Sequence, residues 1–183
     1  MTPDRAITLN VISLYALAGV LATAFGAQFM LGELPCPLCL LQRIMFALLA
    51  IGPILNIRYG PRPSHYALSL LAAIVGAVVS TRQVLLHILP GDTGYGTALF
   101  GYHFYTLALI AFIAAIALIS LVLLFDSQFV TPPDSVAAGA FVTIAIVLII
   151  ALTAGNFASA LLECGFKACA DDPIAYELMK RRM

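Results

Sequence analysis

Charged side chains are so sparse along this chain that several of the uncharged intervals between them are long enough to cross a bilayer. About 20 consecutive apolar residues span the hydrocarbon core as a helix. Five intervals reach that length with at most one charge inside, Arg43 in the second and Arg82 in the third: between Arg5 and Glu33, from about Cys39 to Ile57, from Tyr66 to about Leu89, from about His103 to Phe125, and from about Val136 to Leu161. In lipid the backbone must satisfy its own hydrogen bonds, which leaves helices and closed barrels. These runs show no two-residue alternation, so they read as helices. Composition agrees: of 183 residues 62% are hydrophobic and 10% charged, nine Lys and Arg balance nine Asp and Glu, and the mean hydropathy is +1.04. Soluble chains are roughly 45–50% apolar and 25% charged. The expected fold is all-α, a polytopic membrane bundle of five transmembrane helices forming one domain over 1–183. The lack of any basic tract argues against a nucleic-acid partner and leaves membrane lipid as the surroundings.

Turn chemistry falls between the spans. Gly32 and Pro35 follow the first, Gly60, Pro61 and Pro63 separate the second from the third, Pro90 to Gly101 is rich in glycine, and Pro132 and Pro133 precede the fifth. The first span is too long, and too poor in flanking charge, for a cleaved signal peptide, so it is expected to remain. Orientation follows the Lys/Arg bias of short loops. Arg5, Arg58 and Arg62 place the amino terminus and the loop between spans two and three in the cytoplasm, and five crossings put the tail, 162–183, outside. Lys180, Arg181 and Arg182 pull the other way, but they lie near the limit of the rule's range.

All four cysteines fall in two close pairs, Cys36 with Cys39 and Cys164 with Cys169. An odd number of crossings brings both pairs to the same extracytoplasmic face, where disulfides persist. Pro35 and Pro37 bracket Cys36, so Cys36 is expected as the cap of helix two and Cys39 as its third residue. Thiols at a helix amino terminus, above all in Cys-x-x-Cys, are activated as thiolates. Arg43 follows Cys39 by four residues, on the same helix face. Two readings of it stand: a ligand-binding cation at membrane depth, or an arginine snorkelling to the headgroups. A zinc site and two inert structural disulfides are further readings of the cysteines. His65 reads as a solvated flank of the cytoplasmic loop. His87 and His103, beside Arg82 and Gln83 near the outer ends of helices three and four, read as headgroup contacts or interface anchors. Glu33, Asp92, Tyr95 and Tyr105 read as the interface belt.

The run Pro35-Cys36-Pro37-Leu38-Cys39-Leu40-Leu41-Gln42-Arg43 closely resembles the signature of the bacterial disulfide bond formation protein B (DsbB) family. The resemblance covers the first three helices and the loop before helix four. It implies a quinone-dependent thiol oxidase of the inner membrane. A second cysteine pair would take electrons from a periplasmic DsbA-like thioredoxin-fold oxidase and pass them to the Cys-x-x-Cys, which reduces ubiquinone or menaquinone. By motif position, Cys39 would face the quinone, Arg43 would bind its carbonyl oxygen, and Cys36 would exchange with the second pair. The familiar members have four helices and hold that pair between helices three and four. Here the corresponding loop, about Leu89 to Tyr102, has no cysteine, and Cys164 and Cys169 follow an extra fifth helix, the pattern of a divergent branch.

Two alternatives remain from the sequence. A vitamin K epoxide reductase-like protein also relays electrons between cysteine pairs, but with the pairs in the opposite chain order. A membrane scaffold with structural disulfides would carry no redox activity at all.

Overall fold

A computed structural model describes residues 1–129 and 139–180 of the chain. Pro132, Pro133 and Val136, where the fifth span was expected to begin, and Arg181 and Arg182 lie outside the described residues. Among the described residues, five helical segments are long and apolar enough to cross a membrane: Pro3–Met30, Pro37–Tyr59, Pro63–Leu86, Phe104–Leu123 and Ala140–Cys164. The first is α1, and the second is divided into α2 (Pro37–Leu49) and α3 (Ile51–Tyr59). The others are α4, α5 and α6. A two-stranded hairpin, β1 (Ala98–Leu99) and β2 (Tyr102–His103), precedes α5, and a single turn, α7 (Glu177–Lys180), ends the described tail.

Three helices start earlier than the charge pattern implies, and for one reason. Pro3, Pro37 and Pro63 each occupy the first turn, where proline's fixed φ suits the helix and its missing N–H costs nothing. At the other end α6 runs past Leu161 to Cys164.

The break in the second span comes from Pro53. Proline has no N–H to give to the carbonyl four residues back, which is that of Leu49, and its ring crowds that carbonyl. The Leu49 carbonyl instead accepts the Ser69 hydroxyl of α4 at 2.8 Å. This exchange requires close approach, which Gly52 permits. A Cβ there would collide with the Ser69 Oγ and with the backbone carbonyl of His65.

Packing is sequential about a shared core. α4 lies against α2, α3 and α5, while α1 lies against α3 and α6. Leu14, Leu21, Phe46, Ile57 and Phe112 are fully or almost fully buried, and the Phe46 and Phe112 rings stack with centroids 4.0 Å apart. The outer faces keep large apolar side chains exposed, among them Leu71, Val78, Ile113, Phe141 and Ile150, as lipid contact requires.

Polar contacts mark the two ends of the bundle. At the end holding the amino terminus, Asn56 donates to Asn10 at 3.1 Å and its oxygen accepts from His65 Nδ1 at 2.9 Å, while Tyr66 donates to Gln128 at 3.0 Å. His65 is therefore a buried partner of Asn56 and not a solvated flank. At the opposite end Gln28 of α1 donates to Ser159 of α6, and Tyr95 donates to the carbonyl of Leu34. Both cysteine pairs sit at this second end.

Gly52→Ala should lower stability by about 1–3 kcal/mol, because the carbonyl it meets belongs to packed backbone. Thermal unfolding of the detergent-solubilised protein measures this. Gly19→Ala is the matched control, since its Cβ meets nothing within 4 Å and should be neutral or slightly stabilising.

Candidate functional site

Cys36 is the N-cap of α2 and Pro37 its first residue, so Cys39 closes the first turn. The two are disulfide-bonded with Cα atoms 5.0 Å apart. The Cys39 backbone N–H points at the Cys36 sulfur at 3.1 Å. Gln83 of α4, almost fully buried, directs Nε2 at both sulfurs, 3.2 Å from Cys36 Sγ and 3.4 Å from Cys39 Sγ. Gln42 Nε2 donates to Gln83 Oε1 at 2.9 Å and so fixes which way that amide faces. Two N–H donors, from Cys39 and Gln83, and the positive end of α2 thus converge on the Cys36 sulfur.

Arg43 does not snorkel. It is only 8% exposed, and its guanidinium donates to Gln28 Oε1 at 2.7 Å and to the Ala24 carbonyl at 2.9 Å while lying 5.4 Å from the centre of the Phe25 ring. Gln28 in turn donates to Ser159 Oγ at 2.6 Å and to the Tyr176 hydroxyl at 3.0 Å. The arginine is thereby tied to α1, to α6 and to the tail.

Cys39, Gln42 and Arg43 line a cavity of about 210 Å³, and Cys36 does not. Gln28 completes the polar end, and Val20, Leu21, Phe46, Leu107, Ala108 and Ala111 supply apolar wall. The loop before α5 closes over it. Glu33 accepts the Thr97 backbone N–H at 3.0 Å and also the Thr97 hydroxyl. Tyr95 donates to the Leu34 carbonyl at 2.6 Å, and burial, with Asp172, Glu163 and Glu33 nearby, pushes its phenol up to about 12, so it keeps its proton. Phe100 and Gly101 turn the hairpin with φ of 52° and 83°, the two positive angles a tight two-residue connection needs.

Tyr105, another lining residue, stacks with both His87 and His103, with ring centroids at 5.5 and 5.3 Å. The two histidines thus back the cavity wall. Asp92 accepts from His87 at 3.1 Å and from the Gly94 N–H at 2.7 Å, contacts that hold its carboxyl below the usual range, the Gly94 bond first. Glu33, Tyr95 and Tyr105, read from sequence as interface markers, are parts of the cavity.

The second disulfide joins Cys164, the last residue of α6, to Cys169, with Cα atoms 4.5 Å apart. Cys164 is buried, and Phe166 beside it is exposed. No group of three or more His, Cys, Asp or Glu among the described residues is placed to hold a metal.

Sequence reasoning missed Gln28, Gln83 and Glu163. Gln28 and Glu163 are polar residues within otherwise apolar runs, Gln83 follows the polar Ser80, Thr81 and Arg82, and each is 2% exposed or less. That contrast was the available signal for Gln28 and Glu163.

The family model for disulfide bond formation protein DsbB matches residues 6–97. Among curated relatives, "Disulfide bond formation protein B" of Xanthomonas axonopodis pv. citri is 44% identical over 82 residues, which is 42% of this chain and 48% of that one. The protein of the same name from Chromobacterium violaceum is 42% identical over 83 residues, 42% of this chain and 49% of its own. The matched stretch spans about half the length of these relatives. No solved structure matches. The match takes in α1 to α4 and the start of the loop over the cavity, Cys36, Cys39 and Arg43 included, and stops before α5 and the second cysteine pair. With half of its length matched and its five spans, the chain belongs to the DsbB family and is a multi-pass protein of the inner membrane.

Proposed function

We propose that the protein is a quinone-reducing thiol oxidase. Electrons from a periplasmic, DsbA-like thioredoxin-fold dithiol enter at Cys164 and Cys169, pass to Cys36 and Cys39, and leave to a membrane quinone, ubiquinone or menaquinone, held at Arg43. The observation that carries this reading is that one sulfur of a capped Cys-x-x-Cys and a buried, oriented guanidinium line the same largely apolar cavity.

The residues fit a quinone ring. Such a ring is flat and apolar with carbonyl acceptors at its edge. The wall from Val20 to Ala111 suits the ring, and Arg43 and Gln42 offer N–H donors at the polar end. A cavity of about 150 Å³ suffices for benzene. When bound, the quinone accepts two electrons and two protons. The protein's share is to activate and orient. Gln83 and the α2 amino terminus favour the thiolate on Cys36, which frees Cys39 to react toward the cavity. Gln28 and Ala24 hold the Arg43 fork in place, and the loop clasped by Glu33 and Tyr95 excludes water. On the outer side, exposed Phe166 gives a protein partner an apolar contact beside the Cys164 pair. The chain order of the pairs disfavours the vitamin K epoxide reductase-like reading, and a structural scaffold has no use for a cavity opening on a disulfide.

Cys36→Ala or Cys39→Ala should each abolish quinone reduction with the fold intact. A Cys164→Ala, Cys169→Ala double variant should lose oxidation of a protein dithiol yet let dithiothreitol reduce quinone, followed by quinone absorbance. Equal loss of both activities rejects two stations.

Arg43→Ala should raise the quinone KM or slow quinone reduction about ten- to a hundredfold, the worth of a charge-assisted hydrogen bond of roughly 1.5–3 kcal/mol. Arg43→Lys should keep part of the activity, since the charge stays and the planar fork goes. Single-turnover oxidation of a dithiol without quinone should be nearly normal in both.

The tail is proposed to be periplasmic. A membrane-impermeant thiol label, applied after mild reduction with the inner membrane sealed and the periplasm accessible, should reach Cys164 and Cys169. Labelling only after the inner membrane is breached rejects the orientation.

A further inference from the structure

Glu163 is the one acid among the described residues that is nearly fully buried, at 2% exposure, and neither of its carboxyl oxygens has a hydrogen-bond partner there. It lies one turn beyond Ser159 on the buried face of α6, the face that also carries Ala145, Ile149 and Asn156. Ser159 touches Gln28, and Gln28 holds Arg43, so this face leads to the guanidinium. The Glu163 charge acts on Arg43 and on Tyr95. Among the charged and titratable groups at this end, Arg43 of α2 and Tyr95 of the loop feel the Glu163 charge, Tyr176 of the tail acts on the same arginine, and Asp172 and Glu33 act on the same tyrosine. α7 presents Glu177, which accepts from Lys167. α1 presents only the neutral Gln28 at this end.

We propose that Glu163 is the counter-charge of Arg43 and exchanges one proton as negative charge enters and leaves the Arg43 end of the cavity. This rests on the quinone reading above. Glu163 does not line the cavity, so it is a positioning residue that acts through Arg43. The logic is one of burial. An isolated carboxylate is costly in an apolar bundle, whereas the same group is tolerated either beside a cation or carrying a proton. While the cavity holds no anion, Glu163 balances Arg43. When negative charge arrives there, the arginine is balanced from the cavity side and Glu163 takes a proton from water at the tail end of the bundle, to which it returns the proton when the charge leaves. The overall reaction balances without it. Two S–H bonds of Cys36 and Cys39 break, one S–S bond forms, two electrons pass to the quinone, and two O–H bonds form on its oxygens. Glu163 borrows one proton and ends each turnover unchanged.

The test uses the full chain in detergent, with dithiothreitol as the dithiol and a short-chain ubiquinone analogue as the probe, comparing wild type, Glu163→Gln and Glu163→Asp. Redox-induced infrared difference spectra of the wild type should show a carboxylic-acid C=O band that Glu163→Gln lacks and Glu163→Asp shifts. Glu163→Gln should lower kcat for quinone reduction at least about tenfold with a smaller change in KM. Glu163→Asp should recover part of that loss. Quinone-free exchange between dithiothreitol and the Cys36–Cys39 disulfide should match wild type in both variants, which shows that the bundle is intact. If Glu163→Gln fails to fold, the band shift in Glu163→Asp decides. Superimposable spectra, or a folded Glu163→Gln with wild-type kcat, overturn the counter-charge assignment alone. A wild type that neither binds nor reduces the analogue overturns the quinone reading and this proposal with it.

Discussion

A guanidinium cannot shed its charge, so burying Arg43 within an apolar bundle obliges the neighbouring helices to supply acceptors. α1 answers with the Ala24 carbonyl, whose second lone pair is free of the helix ladder, and with Gln28. Gln28 then has an amide to satisfy, and it draws in Ser159 from α6 and Tyr176 from the tail. One cation on α2 thus decides how α1, α6 and the tail meet. Removing its partners would leave a buried charge uncompensated, a loss of about 3–5 kcal/mol in comparable cases.

A second polar chain starts from the adjacent residue. Gln42 and Arg43 project about 100° apart around α2, so they reach different neighbours, Gln83 on α4 and Gln28 on α1. Cys39 lies one turn earlier, three residues from one and four from the other, and so falls between the two faces. This is why a single turn of helix can hold a sulfur, set the amide that addresses that sulfur, and aim a cation into the same cavity. The cap completes it, because Pro37 begins α2 where Cys36 can accept the Cys39 N–H.

Much of this frame was legible from the chain alone. The scarcity of charge marked the five spans, and Pro35 and Pro37 marked Cys36 as a cap. The ends of helices shifted wherever proline opened a first turn. The break at Ala50 was written as Pro53, but what makes it tolerable is Ser69, a residue sixteen positions on in another helix, and no local pattern points there. His65 was read as a solvated flank because its partner Asn56, nine residues earlier, was not visible, and Tyr95 and Tyr105 were read as interface markers for a related reason. A residue near the end of a span looks like an interface marker until the loop that folds back over the bundle is known. For Arg43 the sequence left snorkelling and site binding open, because the answer depends on Gln28, fifteen residues earlier and on a different helix.

The extra helix follows from parity together with this polar chemistry. The loop over the cavity has no cysteine, so a second pair at the same end of the bundle requires the chain to cross twice more after α4. α5 and α6 do so, and α6 packs on α1, the helix that already holds the arginine. Its last turns then deliver Ser159, which anchors Gln28, Glu163, whose charge bears on Arg43, and Cys164, the first sulfur of the tail. Under the proposed relay, opening the Cys164–Cys169 disulfide changes the chemistry one residue away from the counter-charge of the cavity. On that proposal the entry of electrons into the protein and their exit meet at a single helix end, that of α6.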